Sequence, residues 1–248
     1  MDSSTQTHDW LLGGKVEIAQ PRKGYRVSVD AIFLAAAVAP MTDSTVLDIG
    51  CGDGGATLCL AWRVPGLAID GLDLRADALD RFSSNVSRNG WQDRVRGFVH
   101  DVADAPGEGV VGAYDWTISN PPYLPAKRMD QRGKADGWDP ATTELVELSQ
   151  WISFMAACLS ERGHLALVHR ADRIEDVLSA LMPYCGAIRV FPLWPKRGAE
   201  AKRVIVTAQK GARGPSKILS GLVLHEYDGS FTPAAQAVLI DGEALDLA

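Results

Sequence analysis

At 248 residues, with 46% hydrophobic and 23% charged side chains, the chain has the make-up of one large folded domain, with or without a small appendage. A net charge of −6 excludes a protein coated in basic residues, and no apolar run approaches the about 20 residues that span a bilayer. The opening MDSSTQTHDW lacks a basic leader, and Cys51, Cys59, Cys158 and Cys185 lack CxxC or metal-like spacing; reduced thiols, no bound metal and a cytoplasmic setting are expected.

In chain order, residues 11–40 read as a turn followed by a helix ending in AIFLAAAVAP. TVLDIG (45–50) reads as a buried strand, followed by a helix through TLCLAWRV. LAIDGLDL (67–74) is a second strand, then ADALDRFSSNVSRNG a helix stopped at Asn89-Gly90. VRGFVHD (95–101) and YDWTIS (114–119) are the third and fourth strands. TELVELSQWISFMAACLSERG predicts one long amphipathic helix with Gly163 just beyond its end. HLALVH is a fifth strand and RIEDVLSALMPYCG a helix. AIRVFPLW and RVIVTAQ form an antiparallel pair about the turn PKRGAEAK. In TPAAQAVLI, Thr232 and Pro233 are placed as cap and first residue of a short helix.

Strands alternating with helices imply an α/β fold, a Rossmann-like seven-stranded, mostly parallel sheet with a terminal antiparallel hairpin. The expected organisation is an extension (1–40) over the site, a core (41–210), and a strand/helix appendage (211–248) of the same domain. Ligands of such sheets bind beyond the carboxyl ends of the strands, so the residues there carry the chemistry.

The first such end is LDIGCGDGG (47–55), where Gly50, Gly52 and Gly55 satisfy the dinucleotide pattern G-x-G-x-x-G. The acids argue against a dinucleotide: Asp48 and Asp53 crowd a loop where pyrophosphate needs bare N–H groups and positive potential. S-adenosylmethionine has no phosphate and two positive centres, and suits such a loop. Asp73, ending the second strand, is placed to accept from ribose hydroxyls, and Asp101, ending the third, from the adenine amino group. Their neighbours Cys51, Leu74 and Val102 are counted with the cofactor site. Asp48 is expected to act indirectly, through loop N–H groups or water.

The fourth strand ends in Asn120-Pro121-Pro122-Tyr123, where paired prolines force the chain out of the sheet. An exocyclic amine on an aromatic ring is a poor nucleophile because its lone pair is delocalised. Two acceptors, the Asn120 side-chain oxygen and the Pro121 carbonyl, can draw the nitrogen toward a tetrahedral shape and aim the lone pair. Tyr123 offers a face for a flipped base, worth about 1–3 kcal/mol in stacking. No strong base is needed, since the proton leaves after attack.

These residues resemble the class I S-adenosylmethionine-dependent methyltransferases that carry Asn-Pro-Pro-Tyr, and within them the bacterial valine-tRNA (adenine-N6) methyltransferases. The likeness runs from LLGGKVEIAQPRKGYRVSVDAIFLAAAV through VLDIGCGDGGATLCLA, GLDLRADALDRFSSN and SNPPY to RGAEAKRVIVTAQKG. It implies that Tyr25, Ser28 and Asp30 lie near the methionine end of the cofactor, although Ser28 and Asp30 also suit a helix cap. Residues 125–140, rich in charge, Gly and Pro, are expected to form a lid over the target base.

Residues 189–217 carry eight cations against Glu200, a local charge of +7 within a chain of −6. With Arg22, Lys23 and Arg26, the cations Lys196, Arg197, Lys202 and Arg203 are expected to hold an RNA backbone. A tRNA is the expected partner and a monomer or weak homodimer the expected state. The alternatives are a protein-glutamine N5-methyltransferase, an rRNA base N-methyltransferase, or an inactive RNA-binding protein of the same fold.

Overall fold

The computed structural model describes residues 6–24, 26–125, 143–144 and 146–247. An antiparallel hairpin, β1 (Gln6–Leu11) and β2 (Val16–Pro21), comes first. Then follow α1 (Val29–Ala37), β3 (Thr45–Ile49), α2 (Gly55–Arg63), β4 (Ala68–Asp73), α3 (Ala76–Arg88) and β5 (Val95–Val99). After β6 (Tyr114–Ser119), the two-residue strands β7 (Leu124–Pro125) and β8 (Thr143–Glu144) pair in parallel. The second half holds α4 (Leu148–Cys158), β9 (Leu159–Arg170), α5 (Ile174–Leu181), β10 (Cys185–Lys196) and β11 (Arg203–Lys210). It closes with β12 (Lys217–Ile218), β13 (Leu222–His225) and α6 (Pro233–Gln236).

The main sheet runs β12-β10-β11-β9-β6-β3-β4-β5, with β13 also on β10. From β9 to β5 all neighbours are parallel, while β11 is antiparallel to both β9 and β10. The seven strands expected are present, and β12 and β13 extend them along the β10 edge. That edge is covered rather than left open, which removes a pairing hazard.

Each sheet face buries its own apolar cluster. On one face Phe33 and Leu34 of α1, Leu58 and Leu60 of α2 and Phe82 of α3 are fully buried against Val46, Ile69 and Ile118. On the other, Ile152 and Met155 of α4 and Val177 and Leu181 of α5 cover Leu47, Ile49, Leu165 and Leu167. The alternate residues of β3 (Val46 one way, Leu47 the other) divide between the clusters, as strand periodicity requires.

Two local expectations need correction. The helix read through to Gly163 ends at Cys158, and β9 begins at Leu159. Pairing of Leu159 with Tyr114, then of His164 with Trp116 across a bulge, takes the backbone the helix would have used. Gly163 is the point of close approach to β6, where a Cβ would lie 3.2 Å from the Asp115 carbonyl. The β1–β2 hairpin was not expected at all. Two asparagines one turn apart hold it, Asn85 on α3 and Asn89 just past the end of that helix. Fully buried Asn85 accepts from Ala19 N (2.8 Å) and donates to Ala19 O (3.0 Å) and Asp53 O (2.9 Å). Asn89 does the same for the backbone N–H and C=O of Glu17.

The Thr232–Pro233 start is as expected: the Thr232 hydroxyl accepts from Ala235 N at 3.1 Å. Beyond it the chain returns to the hairpin turn, where Lys15 Nζ donates to Ile240 O (2.7 Å), and to α1, where Leu245 N donates to Ala36 O (2.8 Å).

Candidate active site

β3 lies between β4 and β6, so the connections leave it in opposite directions and open a crevice at its carboxyl end. The glycine loop fills one wall. Gly50 N and Cys51 N both donate to Leu72 O, and Gly52 N donates to Asp73 Oδ2 at 3.0 Å. Gly52 has φ +55, and a Cβ there would meet only Arg75, at 3.9 Å, so the loop leaves free space in front of it. Gly55 is required for a different reason: a Cβ would lie 2.6 Å from Val27, where the segment before α1 crosses the start of α2.

The acids have distinct situations. Asp48 is buried and accepts from Thr57 Oγ1 at 2.6 Å; burial pushes its carboxyl up to about 6, against the pull of that hydrogen bond. Asp53 pairs with Arg81 Nε at 2.7 Å, so its charge is already matched; burial still raises its carboxyl, with Arg81 opposing. Asp73 also faces a cation, its Oδ1 lying 3.3 Å from Arg75 Nε, whereas the side-chain partner of Asp48 is a hydroxyl. Asp73 Oδ1 accepts from Arg75 N (2.9 Å) while Oδ2 holds the loop. Asp101 Oδ1 turns back to Ala103 N at 2.8 Å. Beside them, Leu74 is 51% exposed, an apolar side chain with open surface to offer, and Val102 is buried.

Across the crevice, β6 ends in Ser119, whose hydroxyl donates to Ile49 O (2.7 Å) and accepts from Trp151 Nε1 (2.9 Å). That bridge ties the ends of β3 and β6 to α4, and neither residue was singled out from sequence. Immediately beyond, the Tyr123 hydroxyl meets the Asn120 side-chain oxygen in a short contact and Asp30 Oδ2 at 3.3 Å. Arg203 Nε donates to the same Asp30 oxygen at 2.9 Å, and its guanidinium lies 4.8 Å from the Tyr123 ring centre. His169 approaches the ring edge-on at 5.4 Å. It is completely buried with neither ring nitrogen hydrogen-bonded among the described residues, and burial, aided by Arg173, depresses it to about 4. His169 too was missed; an isolated histidine in an apolar strand carries no motif.

Ser28 is the residue before α1, but its side chain makes no capping bond. Tyr25 and residues 126–140 of the expected lid lie outside the described residues. Of the cations, Lys196, Arg197 and Lys202 are exposed around the β10–β11 turn, and Lys196 Nζ reaches Tyr227 O at 3.4 Å. Since β10 runs parallel to β9 through β11, this turn sits on the same rim as Asn120. Arg22 and Lys23 are exposed after β2, whereas Arg26 is tied to Asp9 at 2.8 Å. No helix among the described residues is long and apolar enough to cross a membrane, and no cluster of three metal-ligating side chains occurs among them.

The methyltransferase small domain family matches residues 28–186. A tRNA1(Val) (adenine(37)-N6)-methyltransferase of Yersinia enterocolitica is 37% identical over 226 residues, 90% of this chain and 88% of that one. Among solved structures, a predicted O-methyltransferase of Agrobacterium tumefaciens superposes with a TM-score of 0.73 at 22% identity, covering 88% of this chain and 98% of that one. A geranyl diphosphate C-methyltransferase of Streptomyces coelicolor, crystallised with S-adenosyl-L-homocysteine, has a TM-score of 0.51 at 16% identity, covering 72% and 78%. These two share the class I methyltransferase fold with this chain.

Proposed function

The chain belongs to the methyltransferase small domain family, and from that premise we propose that it methylates an exocyclic amine, adenine N6 of a tRNA, using S-adenosylmethionine. The observation that carries the reading is the placement of Asn120–Tyr123 at the end of β6, across the crevice from the glycine loop. The exposed cations on the same rim and the Yersinia relative support a tRNA substrate, and with it a cytoplasmic setting.

The residues fit the cofactor: the space before Gly52 and the carboxylates of Asp48 and Asp73 suit a phosphate-free cation. Bound S-adenosylmethionine supplies an electrophilic methyl group on a sulfonium centre. Asp73 would hold the ribose hydroxyls, Asp101 the adenine amino group with Leu74 and Val102 packing on its ring. Gly50, Cys51 and Gly52 with Tyr25, Ser28 and Asp30 would hold the methionine end. Asp48 acts through Thr57, which fixes the first turn of α2.

On the substrate side, the Asn120 oxygen exchanges the Tyr123 hydroxyl for one amine N–H, and the Pro121 carbonyl takes the other. Two accepted hydrogen bonds localise the lone pair on the nitrogen and point it across the crevice; positioning supplies most of the effect. The Tyr123 ring stacks the base, and the amine proton leaves after attack. Lys196, Arg197 and Lys202, with Arg22 and Lys23, hold phosphates and so set register without reading sequence.

Incubation with labelled S-adenosylmethionine and bulk tRNA, then nucleoside mass spectrometry, should show N6-methyladenosine. Label in protein instead of RNA would sink the reading. Asn120→Ala should reduce transfer about 100- to 1000-fold while cofactor affinity by calorimetry is unchanged. Asp73→Ala should weaken cofactor binding directly.

A further inference from the structure

Arg203 differs from the other cations of the β10–β11 hairpin. Lys196, Arg197 and Lys202 are exposed, but Arg203 is half-buried at the start of β11 and turned to Asp30 at 2.9 Å. Its guanidinium also lies over the Tyr123 ring, 4.8 Å from the centre, while His169 abuts the ring at 89° and the hydroxyl reaches Asn120 and Asp30. Four separate parts of the chain thus converge on one tyrosine: α1 through Asp30, the segment after β6 through Asn120, β9 through His169, and β11 through Arg203.

We propose that Arg203 is a positioning residue for methyl transfer, acting through Tyr123 and not as a phosphate contact. The guanidinium is drawn to the ring by the aromatic quadrupole and held in place by Asp30, so it covers one face. No base can slip between it and the ring without breaking the Asp30 pair. The incoming adenine meets a ring that is already fixed relative to Asn120. Because Asp30 is the expected neighbour of the cofactor, the same pair links the two substrates' sides of the crevice. The inference rests on the proposed transfer to an adenine of tRNA.

A lysine keeps the charge but not the planar, forked group that can stack and bond Asp30 together. Arg203→Lys and Arg203→Met therefore separate the two roles. In single-turnover assays at saturating tRNA and cofactor, both variants should slow transfer about 10- to 100-fold, the penalty of misplacing a reacting group. The salt dependence of tRNA binding should match wild type. If Arg203→Lys transfers at the wild-type rate while Arg203→Met lowers the salt slope by about 1, Arg203 is a phosphate contact and the proposal fails. A wild-type enzyme that labels no tRNA overturns this inference and the reading beneath it together. Should Arg203→Met lose its melting transition, Arg203→Lys decides alone, by rescue or its absence.

Discussion

Replacing His169 with leucine removes a completely buried ring that has neither nitrogen hydrogen-bonded among the described residues. Burial, with the positive charges of Arg173 and Arg203 and against Asp176, brings the imidazole from the ordinary 6.5 to about 4. The fold therefore keeps the ring neutral, and the unfolded chain takes up the proton first as the pH falls. The stability contributed by the neutral ring is complete above about pH 6.5 and is lost progressively toward about pH 4. With those two values, the wild-type protein at about pH 4.5 has lost about 2.5 kcal/mol through this one group. His169→Leu has nothing to protonate there. It should be at least as stable as wild type near pH 7.5, by up to about 1 kcal/mol, because the leucine leaves no buried polar atom unmade. Urea unfolding of both proteins at the two pH values gives the difference directly. Equal losses in both proteins between about pH 7.5 and 4.5 would show that His169 does not hold a neutral ring in the fold.

Asp48 has the opposite sign. Its carboxyl is raised from 3.8 to about 6, so stability falls by about 3 kcal/mol as the pH rises through that window. Asp48→Asn removes that opposing contribution, so the variant should lose about 2 kcal/mol more than wild type between about pH 7.5 and 4.5, and a loss equal to wild type would contradict the assignment. Asn85→Ala removes three hydrogen bonds, two to Ala19 of the hairpin and one to Asp53 O of the glycine loop, and should cost about 3 kcal/mol, a melting shift of about 6–12 °C. Hydrogen exchange at the Ala19 amide should rise with it; protection as in wild type would mean the hairpin is held by other contacts. Lys196→Gln with Arg197→Gln should lower the salt slope of tRNA binding by about 2 without slowing single-turnover transfer. A slower rate at saturating tRNA would place those side chains in the reaction rather than in docking.

The central strands were legible because each is a short apolar run closed by a turn signal, and their alternation with helices implies the parallel sheet. Asp73 and Asn120 could be placed at strand ends for the same reason. The α4–β9 boundary was not legible. ISFMAACLSERG is a good helical pattern locally, and only the pairing of Leu159 with Tyr114 turns it into strand. The hairpin was missed because what holds it, Asn85, lies 66 residues from its partner Ala19. In the site, residue types were readable but not their partners. Asp53 looked available to a ligand until Arg81, 28 residues away, was found on it. Ser119, Trp151 and His169 belong to no motif, and only their contacts reveal them.

The contact between Lys15 and Ile240 spans 225 residues of sequence, and it joins the hairpin turn to the segment after α6. During synthesis the hairpin leaves the ribosome first and this anchor about 10 to 45 s later, at about 5–20 residues per second. Until residues 240–245 emerge, the hairpin and α1 lack the lock that the segment after α6 supplies. Asp30, on α1, is then less firmly set against Tyr123 and Arg203. An unfinished chain would carry a glycine loop and an Asn-Pro-Pro-Tyr segment without a fully braced site between them. Emergence of residues 240–245 thus adds the last brace between the hairpin, α1 and the site.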